Sequence, residues 1–520
     1  MDDVTRKPDA AEVEPAPCAH EGAPSAPPCT IVIFGATGDL TGRLLMPALS
    51  NLAGDKLLDE KTSIIGIGRR GDDDAGFRKA LSLSIDEDAR VKGEGTPDMR
   101  GWAFVRERVF YLAGEFRDDA LYERLKASLE EHAKRNGSGN TLFYLATAPE
   151  FFGDIIEKLG EAGLVGQGES GFRRVIIEKP FGVDLPSAVA LNARILRQLD
   201  ESQIYRIDHF LGKETVQNII AFRFANVMFE PIWNRQFIDH VQVTAAETVT
   251  VETRGRFYEQ TGALCDMIPN HMFQLLAMTT IEAPNSFDAD AVRSEKARAI
   301  DAIKPLTLAQ VRTDVVRGQY AAGAVKGRAV DAYREAADVA RDSTTETYVA
   351  MKFSIDNWRW AGVPFYIRTG KAMAERRTEI VVQFKHAPFS LFPHMPVETI
   401  SPNRLIIHVQ PNEGITMKFE AKEPGPSMAL SKVGMQFRYG DYFKLAPSTG
   451  YETLVYDCLI GDATLFQRAD NIEAGWRAVQ PILEAWKAGE PAPEFYAAGS
   501  WGPAGADALL ARDGRTWRNG

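Results

Sequence analysis

At 520 residues, of which 45% are hydrophobic and 25% charged, the chain exceeds the size at which a single hydrophobic core stops growing, so two domains are expected. A formal net charge of -11 excludes a general nucleic-acid binder, which needs a basic surface, and no apolar run is long enough to cross a bilayer. An acidic chain that takes an anionic ligand must therefore gather its basic side chains in one pocket.

Residues 1–29 are rich in Pro and Ala and carry Asp2, Asp3, Asp9, Glu12 and Glu14. They lack the apolar stretch of a signal peptide and are too acidic for a transit peptide, so a disordered leader is expected. The four cysteines, Cys18, Cys29, Cys265 and Cys458, have neither a C-x-x-C pair nor metal-ligand spacing, which fits reduced thiols in a cytoplasmic protein. No metal site is expected.

At Thr30 the pattern changes. Thr30-Ile31-Val32-Ile33-Phe34 is a short β-branched run ending at Gly35, as a buried parallel strand does, and residues 40–52 follow as a helix. Further strands are expected at 63–67, 142–146 and 174–177, with helices at 120–133 and 186–199 between and after them. Strand and helix in alternation give a doubly wound, Rossmann-like α/β domain over 30–205. From 206 to 520 the strands at 348–355, 378–384, 404–410 and 415–420 alternate in polarity among helical segments. This predicts a larger α+β domain with a mostly antiparallel sheet.

Two places carry the cofactor argument. Gly35-Ala36-Thr37-Gly38-Asp39-Leu40-Thr41-Gly42 follows a strand and opens a helix, the context in which small residues let a pyrophosphate approach backbone N–H groups. Its spacing is GxxGxxxG rather than GxGxxG. At the end of the second strand, where an acidic residue would hold a ribose 2′-hydroxyl, stand Arg69 and Arg70. A guanidinium pairs with a 2′-phosphate, so NADP is expected, with NAD as a secondary acceptor.

The chemical end begins at Tyr205-Arg206-Ile207-Asp208-His209-Phe210-Leu211-Gly212-Lys213-Glu214. His209 and Lys213 are four apart, so a helix would set both on one face against a phosphate dianion. Some sixty residues on, Gly262-Ala263-Leu264-Cys265-Asp266-Met267-Ile268-Pro269-Asn270-His271 precedes an apolar helical run. A histidine oriented by a carboxylate suits removal of a hydroxyl proton as hydride leaves carbon. Asp208 and Asp266 are both available as that carboxylate, and spacing does not choose between them.

Nearly the whole chain after the leader resembles the glucose-6-phosphate dehydrogenase family. The resemblance rests on Gly35 to Leu40, on Glu178-Lys179-Pro180-Phe181-Gly182, on Arg206 to Glu214, and on Ile232-Trp233-Asn234-Arg235. Asp266 with Asn270-His271, and Gly362-Val363-Pro364-Phe365-Tyr366-Ile367-Arg368-Thr369-Gly370-Lys371, complete it in the family's order. The resemblance implies oxidation of glucose 6-phosphate at C1, with NADP as acceptor, as the first oxidative step of the pentose phosphate pathway. His271 would be the general base and Asp208 its orienting carboxylate. His209 and Lys213 would grip the substrate phosphate, Glu247 and Asp266 the sugar hydroxyls, with Lys371 and Arg376 reaching in from the second domain. Lys179 would lie where nicotinamide and sugar meet, and Tyr144 at a cofactor-contacting position. A homodimer or homotetramer built through the second domain's sheet is implied as well.

Two departures bear on affinity. Leu44 stands where the family commonly has a substrate-contacting lysine, and Arg43, one step round the helix, points about 100° away. Pro269 precedes Asn270-His271 and is expected to alter the helix start that presents the base. Leu44 gives some support to a dehydrogenase of another hexose, and a catalytically silent regulatory relative is the rival from a different class.

Overall fold

The computed structural model describes residues 22–92, 99–167, 171–392, 395–443 and 449–519. Six strands form the first sheet: β1 (Thr30–Phe34), β2 (Ser63–Gly68), β3 (Val109–Ala113), β4 (Thr141–Leu145), β5 (Arg173–Ile177) and β6 (Ile204–Arg206). They are all parallel, in the order β3-β2-β1-β4-β5-β6. Both faces are covered, which is why β1, β2 and β4 are buried throughout and read as continuous apolar runs. Strand order reverses between β1 and β4, and ligands of such sheets sit in the crevice beyond the carboxyl ends of those strands.

Local chemistry sets the connecting helices. Asp118 accepts from the Ala120 N–H at the start of helix Asp119–Asn136, and Gly137, left-handed at φ 67°, ends it. The helix after β5 is shorter than expected, Leu185–Ile195, opened by a reciprocal Asp184–Ser187 cap. Strand β3, which the sequence reading did not single out, is an edge strand that is buried at Val109 alone, so its burial pattern is weak. Strand β6 spans the boundary set at 205.

The second sheet collects β7 (Ile238–Ala246), β8 (Val315–Ala321), β11 (Tyr348–Phe353), β12 (Phe365–Gly370), β13 (Arg377–Phe384), β14 (Arg404–Gln410), β15 (Gly414–Lys422), β16 (Leu430–Arg438) and β17 (Glu494–Ala497). A small hairpin, β9 (Gly323–Val325) with β10 (Arg328–Val330), stands apart. The β7–β12 and β8–β17 pairs are parallel and the other pairs of the nine-stranded sheet antiparallel. Helix Ala469–Lys487 ties the halves together: Trp476 Nε1 donates to the Phe181 carbonyl at 2.9 Å and Asn192 donates to Glu473 at 2.8 Å. Among the described residues no helix is long and apolar enough to cross a membrane.

Part of the segment 1–29 falls within the described residues. Cys18 and the rest of residues 1–21 lie outside the described residues, but residues 22–29 are placed, with Ala26 and Cys29 buried. The Ala26 N–H donates to Leu57, and Tyr456 donates its hydroxyl to the Pro24 carbonyl at 2.7 Å. Two small apolar side chains sufficed to pin a segment whose composition alone reads as disorder. Cys29, Cys265 and Cys458 are buried free thiols.

Candidate active site

The fingerprint turn leaves β1 at the strand-order switch. Gly35 holds φ +84°, and a Cβ there would lie 2.2 Å from the Ala146 carbonyl oxygen at the end of β4, so only glycine fits. The N–H groups of Gly35 and Ala36 bond the Ile67 carbonyl, while Gly38 closes back on Gly35. Thr37 is half-buried and Gly38 and Asp39 are exposed at the turn, with Leu40 leading into Thr41–Leu45, a widened π-type turn, and helix Met46–Gly54. A turn whose backbone is bare of side chains at a helix start fits a pyrophosphate. Gly35→Ala is expected to destabilise the protein by about 1–3 kcal/mol and to weaken cofactor binding, readable by thermal melting and by titration with NADP.

Arg69 and Arg70 are exposed just past β2, and the Arg70 carbonyl accepts from Tyr111 at 2.9 Å. Tyr144 is different. It is buried in β4 and donates its hydroxyl to Glu178 Oε1 at 2.5 Å. Burial drives the Glu178 carboxyl up to about 7 against the Tyr144 hydrogen bond and the Lys179 charge. Leu44 packs partly buried against the core, and Arg43 is engaged with Asp39 at 3.1 Å, so neither supplies the basic contact.

Sheet register pairs two of the sugar-side residues. Parallel β7 and β12 place Ala246 opposite Gly370, so the next residues on each chain, Glu247 and Lys371, emerge side by side, with Lys371 Nζ 2.6 Å from Glu247 Oε2. Lys179, on the loop after β5, donates to Asp266 Oδ1 at 2.9 Å. Burial would raise the Asp266 carboxyl, but Lys179 overrides it and holds the group well below the carboxylate range.

His271 reaches the site by a local distortion. In a regular helix Asp266 and His271, five apart, would point roughly 140° away from each other. Here helix Gly255–Met267 passes into a π-type turn, Ile268–Met272, with Pro269 at its start and Asn270 bent out of helical geometry at φ -97° and ψ -108°. Asn270 secures the bend by donating to the Cys265 carbonyl at 3.0 Å. The widened turn, a feature frequent at functional sites, is where the Pro269 departure falls.

The choice between Asp208 and Asp266 is now made: His271 Nδ1 donates to Asp208 Oδ1 at 2.5 Å, both side chains buried. Burial alone would raise the Asp208 carboxyl, yet the His271 ring holds it at about 2. The His271 ring stacks on Phe210 at 4.3 Å, and His209 meets it edge-on at 4.5 Å. Asp208, His209 and His271 bring ligand atoms within 4.8 Å of one another, but Nδ1 of His271 is already committed to the carboxylate.

His209 and Lys213 do not share a helix face, correcting the expectation from their spacing. They lie in two successive turns, closed by Leu211 N–H to Asp208 and Lys213 N–H to Phe210, before helix Glu214–Phe224 begins. Asp208 accepts the Phe210 N–H, a local bond that competes with helix. Burial lowers the His209 imidazole well below its usual value, and His271, Lys179 and Lys213 push it further. Burial also lowers Lys213, with Arg376 adding to the fall and Glu413 opposing it. Arg376 is exposed and reaches Gln410 at 3.4 Å. The basic groups thus act on one another, with Asp208 opposing at His209 and Glu413 at Lys213.

Sequence reasoning assigned no role to Glu178, Phe210, Gln410 or Tyr451. Tyr451 stacks near His209 and faces Glu178. Glu178 and Phe210 lie inside the quoted motifs, whereas Gln410 and Tyr451 are joined to the site only by tertiary contact.

Residues 32–218 match the family model described as glucose-6-phosphate dehydrogenase, NAD binding domain, and residues 220–518 match its C-terminal domain. This chain belongs to the glucose-6-phosphate dehydrogenase family. It is 46% identical over 491 residues to a glucose-6-phosphate 1-dehydrogenase of Aggregatibacter actinomycetemcomitans, covering 94% of this chain and 97% of that one. A relative of the same name from Chlamydia pneumoniae is 44% identical over 504 residues, covering 95% and 96%. Among solved structures, a glucose-6-phosphate dehydrogenase in complex with its substrate glucose-6-phosphate superposes with a TM-score of 0.86 at 33% identity, covering 96% of this chain and 100% of that chain. The family's fold is the one described above, and the chain is a nicotinamide-dependent oxidoreductase.

Proposed function

We propose that this chain oxidises D-glucose 6-phosphate at C1 to 6-phospho-D-glucono-1,5-lactone, with NADP as the preferred acceptor. The observation that carries the reading is the convergence of His209, Lys213 and Arg376 beside the His271–Asp208 dyad: an imidazole that burial keeps neutral and two cations, which together donate to a phosphate dianion. Lys179–Asp266 and Glu247–Lys371 supply alternating donors and acceptors for sugar hydroxyls. Nδ1 of His271 is fixed by Asp208, so Nε2 is left to accept the C1 hydroxyl proton, and the buried carboxylate stabilises the imidazolium that forms. A nicotinamide cofactor held at the Gly35–Leu40 turn would supply the hydride acceptor.

Residues 30–205 would hold the cofactor and residues 206–520 the substrate. Arg69 and Arg70 support NADP, since each could pair with a 2′-phosphate. A homodimer or homotetramer through the second sheet is supported by its far edge: β16 is largely exposed, and a pocket lined by Phe229, Ile232, Phe384, Leu405, Met417 and Met435 opens on that sheet. The intact dyad argues against a catalytically silent relative, and Leu44 is the one residue favouring a looser sugar preference.

The test is reduction of NADP and, separately, NAD by the purified protein with glucose 6-phosphate or glucose. Turnover with glucose 6-phosphate that far exceeds turnover with glucose is expected. Arg69→Ala is expected to lower the NADP-over-NAD preference about tenfold or more, a charge-assisted phosphate contact being lost. NADP binding without turnover of either sugar would sink the reading.

A further inference from the structure

Helix Ala289–Asp301 turns Val292, Arg293, Lys296, Ala297, Ala299 and Ile300 inward, where it packs against helices Phe273–Thr280 and Ala469–Lys487. Lys296 stands in this stripe at 1% exposure. An ammonium is costly to bury, and one is kept in a core where a countercharge or hydrogen bond offsets desolvation. Among the described residues, however, Lys296 Nζ has no hydrogen-bond partner.

The carboxylate that acts on it is Asp208. One oxygen of Asp208, Oδ1, accepts from His271 and from the Phe210 N–H. The other, Oδ2, is buried and likewise without a hydrogen-bond partner among the described residues. A cationic donor and an anionic acceptor, both buried and both without a hydrogen-bond partner among the described residues, therefore act on each other through the core.

We infer that Lys296 is a positioning residue of the dyad: acting on the free oxygen of Asp208, it keeps that carboxylate ionised and aimed at His271 Nδ1, so that Nε2 stays open to the substrate proton. The inference rests on His271 being the base. Asp208 and Arg293 are the charged groups acting on Lys296, while His271 and His209 act on Asp208 from the other side. Burial brings the Lys296 ammonium down to about 7, with Asp208 opposing the fall and Arg293 adding to it. Lys296 is thus charged below neutrality, and its charge there opposes a further positive charge on the dyad.

The test follows the His271 imidazole by NMR in the histidine-labelled full chain, assigned by its loss in H271N, alongside kcat and KM for glucose 6-phosphate. Lys296→Met keeps the apolar stem without the charge. It is expected to raise the His271 pKa by about one unit, to move the acid limb of kcat/KM up with it, and to lower kcat about tenfold with KM little changed. Lys296→Arg keeps the charge and is expected to titrate as the wild type does. Should K296M not fold, K296Q takes its place and is read the same way against K296R. An unmoved His271 titration in the neutral variant overturns the inference, even if kcat falls, because a purely structural lysine would act in that way. Absence of wild-type turnover would sink the proposed reaction instead, and the His271 titration would still decide the role of Lys296.

Discussion

His271→Asn is expected to lower kcat by about 10²–10⁴-fold and to leave KM for glucose 6-phosphate little changed, as for loss of a general base that works only in the transition state. Asparagine is smaller than histidine but keeps part of its polarity, and the turn at Asn270 is held by its own hydrogen bond to Cys265. What disappears is the nitrogen that accepts the C1 proton. The phosphate grip proposed for His209, Lys213 and Arg376 does not use His271, which is why binding is expected to survive. Steady-state kinetics with both substrates varied reads the split. A KM rising in step with the fall in kcat would instead assign His271 to ground-state binding.

Asp208→Asn is expected to cost about 10³–10⁴-fold in kcat, although it replaces a single oxygen. The carboxylate accepts from Nδ1 at 2.5 Å and so fixes the tautomer with a bare Nε2. An amide can present an N–H to Nδ1 instead, which favours the tautomer unable to take the proton. The substitution also removes the charge that stabilises the imidazolium, so the His271 pKa falls and the acid limb of the remaining activity moves to lower pH. Lys296→Met moves that limb the other way, because it removes a cation rather than an anion. The H271N/D208N pair is expected to be no slower than the worse single variant, since residues that act as a unit are not additive. A fully additive double variant would dissolve the dyad.

Ionised Asp208 also contributes to stability. Its folded pKa of about 2 lies below the ordinary 3.8, so the contribution is present above the ordinary value and is lost as pH falls toward about 2.

Much of this was legible in the chain. The buried strands β1, β2, β4 and β5 and the fingerprint at Gly35 were readable because a doubly covered parallel sheet demands continuous apolar runs and a bare turn beside its switch point. The strands β13, β14 and β15 were readable from their alternation. Edge strand β3 was missed because a half-covered strand leaves little pattern, and residues 22–29 because two buried side chains scarcely alter composition. The helix inferred from the four-residue spacing of His209 and Lys213 gave way to turns, since Asp208 bonds the local backbone.

The sequence by itself determined the two-part architecture, the family and the residue types available to the site, because those depend on periodicity and on motifs contiguous in the chain. Only the tertiary structure decided that His271 pairs with Asp208 and that Tyr144 pairs with Glu178. Each of these is a pairing between residues far apart in sequence, fixed by sheet register, by a π-type turn at Pro269 and by helix packing. Spacing along a chain carries no information about such contacts; they exist only once burial has set a charge against its partner.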